Sequence, residues 1–186
     1  MKSVLITGAS GFIGPHIAEI FLKYSFKVSL FIRRRSPIVE KLESSGARII
    51  EGSFDSEESL KSAVGGADVV IHNAGATKAP DRQEYFKVNS QYTRNLLAVL
   101  SKGQKLIFTS SCSFVGPSSV SRPASEADAP QPVSHYGESK LLAERHVREW
   151  GAANGGDYVI LRPAAVFGPG DRDFLGFFKA ASLGIC

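Results

Sequence analysis

Cysteine is scarce in this chain. Its 186 residues hold only Cys112 and Cys186, too few for a disulfide framework. The four histidines and two cysteines show no metal-ligand spacing, so no metal is expected. No apolar run approaches the length of a membrane span. Basic residues are scattered except at Arg33-Arg34-Arg35, and a net charge of +4 gives nucleic-acid binding little support. A glycine-rich turn begins by Gly8, leaving no room before it for a signal peptide, so a reducing cytoplasm is the expected compartment. What remains is a globular chain, 43% hydrophobic and 22% charged, long enough for one domain with a core and short for two.

The turn Thr7-Gly8-Ala9-Ser10-Gly11-Phe12-Ile13-Gly14 organises the rest. It follows Ser3-Val4-Leu5-Ile6, an apolar run that predicts a buried strand. It opens into Ile13, Ile17, Ile20, Phe21 and Tyr24, whose spacing predicts one apolar helix face. A strand turning through glycines into a helix suits a dinucleotide diphosphate. Gly8 takes the tight turn, Gly11 admits the phosphates to the backbone, and Gly14 lets helix and strand pack closely. The free N–H groups at the positive end of the helix then face the anion.

Further strands are predicted at 27–32, 47–51, 67–72, 105–109 and 157–161. Helices are predicted at 37–45, 57–64, 82–101 and 134–153, with a closing apolar helix over 173–183. The stretch 117–133, rich in Pro, Ser and Ala, predicts a loop over the cleft. Strands alternating with helices imply an α/β fold: a Rossmann-type doubly wound parallel sheet with helices on both faces, one domain over 1–186. Ligands in such sheets sit beyond the carboxyl ends of the strands. There the glycine turn, Asn73-Ala74-Gly75, Ser110-Ser111 and Arg162-Pro163 converge.

The strand at 27–32 ends in Arg33-Arg34-Arg35, where a dinucleotide domain usually places an acid for the ribose 2′-hydroxyl. A guanidinium there can bind a 2′-phosphate that a carboxylate would repel. The cofactor expected is therefore NADP(H), held by Arg33 and Arg34, with NAD(H) the alternative. Tyr136 and Lys140 lie four residues apart on a predicted helix, one turn apart on the same face. An ammonium beside a phenol favours phenolate. Tyr136 can thus exchange a proton with a substrate hydroxyl or carbonyl during hydride transfer.

Thr7-Gly8-Ala9-Ser10-Gly11-Phe12-Ile13-Gly14, Ile107-Phe108-Thr109-Ser110-Ser111-Cys112-Ser113-Phe114-Val115-Gly116, Tyr136-Gly137-Glu138-Ser139-Lys140 and Leu161-Arg162-Pro163 appear in one order. Together they resemble the extended short-chain dehydrogenases/reductases, the group containing the NAD-dependent epimerase/dehydratase proteins. The segment Arg162-Pro163-Ala164-Ala165-Val166-Phe167-Gly168 is similar to the 3β-hydroxysteroid dehydrogenase and dihydroflavonol reductase branches. The resemblance implies Ser111 as the serine that polarises the substrate oxygen, with Ser110 and Ser113 as alternatives. It implies Asn89 as support for Lys140 through water, and Lys140 as a partner of the nicotinamide ribose. It places Thr7, Ser10, Phe12, Ile13, Asn73, Ala74, Gly75, Asn89, Thr109, Tyr136, Lys140, Arg162, Pro163 and Val166 along the cofactor cleft. Where the family carries Gly-Asp-hydrophobic for the adenine, this chain has Gly52-Ser53-Phe54-Asp55, and either Ser53 or Asp55 can supply the contact.

The resemblance implies an oxidoreductase moving hydride between NADP(H) and a secondary alcohol or ketone. The alternatives are an epimerase or dehydratase using bound cofactor, and a non-catalytic dinucleotide sensor. A small-molecule substrate is the expected partner. A homodimer through the helices near 82–101 and 134–153 also follows from the resemblance. Extended members continue into a smaller substrate-binding part that this chain is expected to lack. Phe174, Leu175, Phe177, Phe178 and Leu183 are then expected to be exposed or held in a subunit contact.

Overall fold

The computed structural model describes residues 1–185, so Cys186 lies outside the described residues. Six strands form one parallel sheet: β1 (Ser3–Thr7), β2 (Lys27–Ile32), β3 (Arg48–Glu51), β4 (Val69–His72), β5 (Lys105–Thr109) and β6 (Asp157–Leu161). Their order is β3-β2-β1-β4-β5-β6, with the chain reversing its direction of growth at β1. Between them run α1 (Ile13–Lys23), α2 (Pro37–Ser44), α3 (Glu57–Val64), α4 (Arg82–Phe86), α5 (Tyr92–Val99) and α6 (His135–Asn154), and α7 (Leu175–Ser182) follows. This is the doubly wound α/β fold that the alternation predicts.

Side chains alternate across a strand, so each strand feeds two cores. Leu5, Val70, Leu106 and Phe108 pack with Leu60 of α3, Leu96 and Leu97 of α5, and Ala143 and Val147 of α6. Val4, Ile6, Leu30 and Ile71 pack on the other face with Ala18 of α1 and Val39 and Leu42 of α2. The face that α1 turns to the sheet matches the expected one in part, with Ile17 and Phe21 packed against the core. Gly14, Pro15 and Ala18 are buried, while Ile20 and Tyr24 are exposed. Small side chains at Gly14 and Ala18 let the helix axis approach the sheet, which sets the contact line through them.

The helix predicted over 82–101 is not continuous. Between α4 and α5 the backbone makes a π turn at Lys87–Gln91, with Asn89 and Ser90 buried inside it. The hydroxyl of Thr93 donates to the Asn89 carbonyl at 2.7 Å. A single π turn inside an α-helix re-aims a side chain and is common at functional sites. Ser134 caps α6 by accepting from the Gly137 N–H at 3.1 Å, and Gly155 closes it in the left-handed conformation at φ 61°.

On the edge strand β6, Tyr158 and Ile160 pack into the first core, whereas Val159 and Leu161 on the other face are exposed. Phe167, Leu175, Phe177, Phe178 and Leu183 are exposed as well, with Phe174 half-buried. Among the described residues no helix is long and apolar enough to cross a membrane.

Candidate active site

The carboxyl edge of the sheet gathers the candidate residues around the ends of β1, β4 and β5. Gly8 sits at φ +77°, and a Cβ there would lie 2.8 Å from the backbone of Asn73 and Ala74. The loops leaving β1 and β4 therefore meet backbone to backbone, which only glycine permits at that angle. A Cβ on Gly14 would run into the Gly8 carbonyl. Phe12 offers α1 no side-chain cap and the first turn carries no acid. Ser10 and Gly11 are exposed in front of that helix end. The N–H groups at the end of α1 are thus open to an anion, which fits the diphosphate that the glycine pattern predicts. Gly75 supplies a second fit. A Cβ there would come within 3.0 Å of Asn89 Oδ1 and 3.9 Å of Lys140 Nζ, so its absence keeps space beside both.

Across this space stand Ser111, Tyr136 and Lys140. Ser111 ends the turn after β5 and accepts the Ser113 N–H at 3.1 Å. The neighbouring Ser110 is committed elsewhere, donating to Glu144 at 3.0 Å. Between the two, Ser111 is the one set beside Tyr136. Burial pushes the Tyr136 phenol above its ordinary value, and the Ser111 hydroxyl pulls it partly back. The phenolate expected from a lysine neighbour is not what the geometry favours. Lys140, 4% exposed, donates to the Thr109 carbonyl at 2.6 Å and lies 4.5 Å from the Phe108 ring. Burial pushes its ammonium down to about 7, with the Glu144 carboxylate opposing. A phenol raised by burial, as that of Tyr136 is, keeps its proton.

Gly137 explains how α6 comes so near. A Cβ at that position would lie 2.9 Å from the Ser113 carbonyl, so the glycine after Tyr136 lets the helix start press against the serine turn. Asn89 holds the far side. Its Oδ1 accepts the Ala76 N–H at 2.7 Å, and its Nδ2 donates to the Ala76 carbonyl at 3.0 Å and to Ser139 Oγ at 2.9 Å. Ser139 in turn donates to the Tyr136 carbonyl at 2.8 Å. One amide therefore ties the loop after β4 to the helix that carries Tyr136 and Lys140.

The Arg162 guanidinium reaches Glu144 at 2.5 and 3.1 Å, with Phe114 beneath it, so it is engaged with that carboxylate. Burial alone would push the Glu144 carboxyl up, but hydrogen bonds from Arg162, Arg148 and Ser110 hold it below the usual carboxylate range. Pro163 contributes its carbonyl, which accepts the Cys112 N–H at 3.1 Å and pins the serine turn. Val166 is partly exposed. Phe54 is a core residue packed against Phe31 and Tyr92. Ser53 Oγ accepts the Asp55 N–H at 3.1 Å, and the Asp55 carboxylate accepts the Tyr92 hydroxyl at 3.0 Å. Arg33 and Arg34 are exposed at the end of β2 without an ion-pair partner among the described residues, whereas Arg35 is held by Glu43 and Glu51.

Thr93, Ser139 as an anchor and the role of Gly137 do not stand out in the sequence. A glycine in the first turn of a helix, directly after a candidate catalytic residue, is the signal that would have found the last of these.

Fold and site together define a doubly wound α/β protein with a serine–tyrosine–lysine cluster facing a glycine turn across the carboxyl edge of its sheet. The chain belongs to the NAD dependent epimerase/dehydratase family, whose model matches residues 4–181. It is 34% identical to the decarboxylating sterol-4-alpha-carboxylate 3-dehydrogenase of Candida albicans over 99% of this chain and 56% of that protein. It is 31% identical to human 3 beta-hydroxysteroid dehydrogenase type 7, over 94% of this chain and 53% of the relative. Among solved structures it resembles the UDP-glucuronic acid 4-epimerase of Bacillus cereus in complex with NAD. The TM-score is 0.83 at 29% identity, over 98% of this chain and 63% of the other. The chain thus spans about half the length of the curated relatives it matches.

Proposed function

We propose that the described residues form the dinucleotide-binding and catalytic body of an oxidoreductase that interconverts a secondary alcohol and a ketone with NADP(H). The observation that carries this reading is the single cluster of Ser111, Tyr136, Lys140 and Asn89 opposite the open end of α1. Bound nicotinamide supplies or accepts the hydride. Ser111 orients the substrate oxygen. Tyr136 gives its proton to that oxygen in the reductive direction and takes it back in the oxidative one. Lys140, held by the Thr109 carbonyl beside the space that Gly75 leaves, is placed to donate to a ribose hydroxyl.

The side chains of Val159, Leu161, Phe177 and Phe178 are exposed. In this reading the substrate pocket is completed beyond the described residues, and substrate identity is set there. The sterol and steroid relatives support an alcohol or ketone on an apolar skeleton. The likeness to the 4-epimerase favours a second reading, transient oxidation with no net redox change. Absorbance of reduced cofactor separates them: stoichiometric NADPH consumption with a ketone supports reduction, while turnover without it supports epimerisation.

NADP(H) over NAD(H) rests on Arg33 and Arg34, the two guanidinium groups at the end of β2 without an ion-pair partner among the described residues. A charge-assisted contact to the 2′-phosphate should favour NADP(H) by roughly 1.5–3 kcal/mol. Arg33→Asp is expected to reverse the preference in calorimetric titrations. Tighter binding of NAD(H) than NADP(H) by the unaltered chain would refute the assignment.

A further inference from the structure

A buried hydrogen-bond chain joins the glycine turn to the π turn, and its direction can be assigned atom by atom. The Ala74 N–H can only donate, and it donates to Thr7 Oγ1 at 3.1 Å. Thr7 Oγ1 also lies 2.8 Å from His72 Nδ1. On the other side of the ring, His72 Nε2 lies 3.0 Å from Thr93 Oγ1. The Thr93 hydroxyl proton is committed to the Asn89 carbonyl, which can only accept. Thr93 Oγ1 must therefore accept from His72, so Nε2 carries the proton. Burial, with the Lys140 charge adding to it, pushes the imidazole down to about 3, so the ring is neutral and has one N–H. Nδ1 is then the acceptor, and Thr7 donates to it. The chain runs one way: Ala74 N–H to Thr7, Thr7 to His72, His72 to Thr93, Thr93 to the Asn89 carbonyl. Thr7, His72, Asn89 and Thr93 are all essentially inaccessible to solvent.

Both ends act on the same loop. Thr7 holds Ala74 against the glycine turn, while Asn89 clamps Ala76 through its amide side chain. The π turn that aims Asn89 is itself secured by Thr93. We propose that His72 and Thr93 are positioning residues that pre-set the loop after β4 for a dinucleotide, resting on the dinucleotide reading above. They touch no ligand. Without them the loop must be ordered when ligand binds, which weakens affinity.

Three measurements test this. Calorimetry with NADPH and NADH on the 186-residue chain comes first. Thr93→Val, which removes the hydroxyl at nearly constant shape, should lower dinucleotide affinity by about fivefold, the scale of one neutral hydrogen bond. Thr93→Ser, which restores it, should recover wild-type affinity. A merely structural role would move the melting temperature of Thr93→Val without moving affinity in the folded protein. Nitrogen-15 NMR of unaltered protein, independent of any variant's folding, should show His72 as the neutral Nε2–H tautomer. Unchanged affinity in folded Thr93→Val, or an Nδ1–H tautomer, overturns the proposal alone. Failure of the unaltered chain to bind either dinucleotide overturns the dinucleotide reading, and this proposal with it, whatever the tautomer.

Discussion

Tyr136→Phe is expected to lower turnover on a verified substrate by about 10²–10⁴, the usual cost of removing a general acid/base. Dinucleotide affinity and melting temperature should stay close to wild type. The phenol oxygen is the one group lost. Tyr136 is only partly buried, and its ring remains to fill the space near Tyr85. The anchor between α6 and the loop after β4 runs through the Tyr136 carbonyl, Ser139 and Asn89, none of which the substitution touches. Lys140→Met should behave differently. It removes the donor beside Gly75 as well as a buried cation, so binding and rate should fall together. A Tyr136→Phe enzyme running at wild-type rate would show that the proton comes from elsewhere.

The largest effect on stability is expected at Glu144. Its carboxylate is 2% exposed and gathers Ser110, Arg148 and Arg162. The two arginines are not equivalent: the Arg148 side chain is 54% exposed and that of Arg162 17%. Glu144→Ala leaves the part-buried Arg162 guanidinium without its counter-charge, which should cost about 3 kcal/mol, the low end for breaking a buried pair. For a chain of this size that is a fall in melting temperature of roughly 10 °C. Arg148→Ala removes the exposed arginine, leaves Glu144 its bonds to Arg162 and Ser110, and should cost no more than about 1 kcal/mol. Acid should weaken the same cluster. The Glu144 carboxyl is held below its ordinary range in the folded chain, so its contribution is present above the unfolded value and lost as pH falls through the folded one. A thermal melt in which Glu144→Ala matches wild type would mean that the cluster is not the anchor the contacts describe.

Much of this architecture is legible before any coordinates. The strand at Lys27–Ile32 and the helix at Glu57–Val64 have the predicted bounds, because Gly, Ser and charge changes bracket continuous apolar patterns. The convergence of motifs on one edge follows from each lying after a strand end in a parallel sheet. Other features depend on contacts that periodicity does not carry. The π turn at Lys87–Gln91 adds a residue to a helix without changing the apolar pattern enough to reveal it; Thr93 and Asn89 hold it in place through hydrogen bonds. Ile20 and Tyr24 fit an apolar stripe by spacing, yet the small Gly14 and Ala18 decide which side meets the sheet. Arg162 lies in a motif that the resemblance places along the cleft, but its carboxylate partner is 18 residues earlier on α6. Tyr136 and Lys140 share a helix face as their spacing requires. Spacing alone does not show that the lysine turns to the Thr109 carbonyl and leaves burial to govern the phenol.

In the proposed reading the glycine turn and the open end of α1 hold a dinucleotide against Ser111, Tyr136 and Lys140. Titration of the 186-residue chain with NADPH and with NADH, read by nicotinamide fluorescence, tests it most directly when paired with Gly11→Asp. Gly11 is exposed, and a Cβ there meets only the Gly8 carbonyl, at 3.3 Å, so the substitution should leave the fold intact. It sets a bulky negative charge where a diphosphate would sit. Saturable one-site binding by the unaltered chain is expected, with its loss in a Gly11→Asp protein that melts normally. Absence of saturable binding to either dinucleotide, or equal binding by Gly11→Asp, would contradict it.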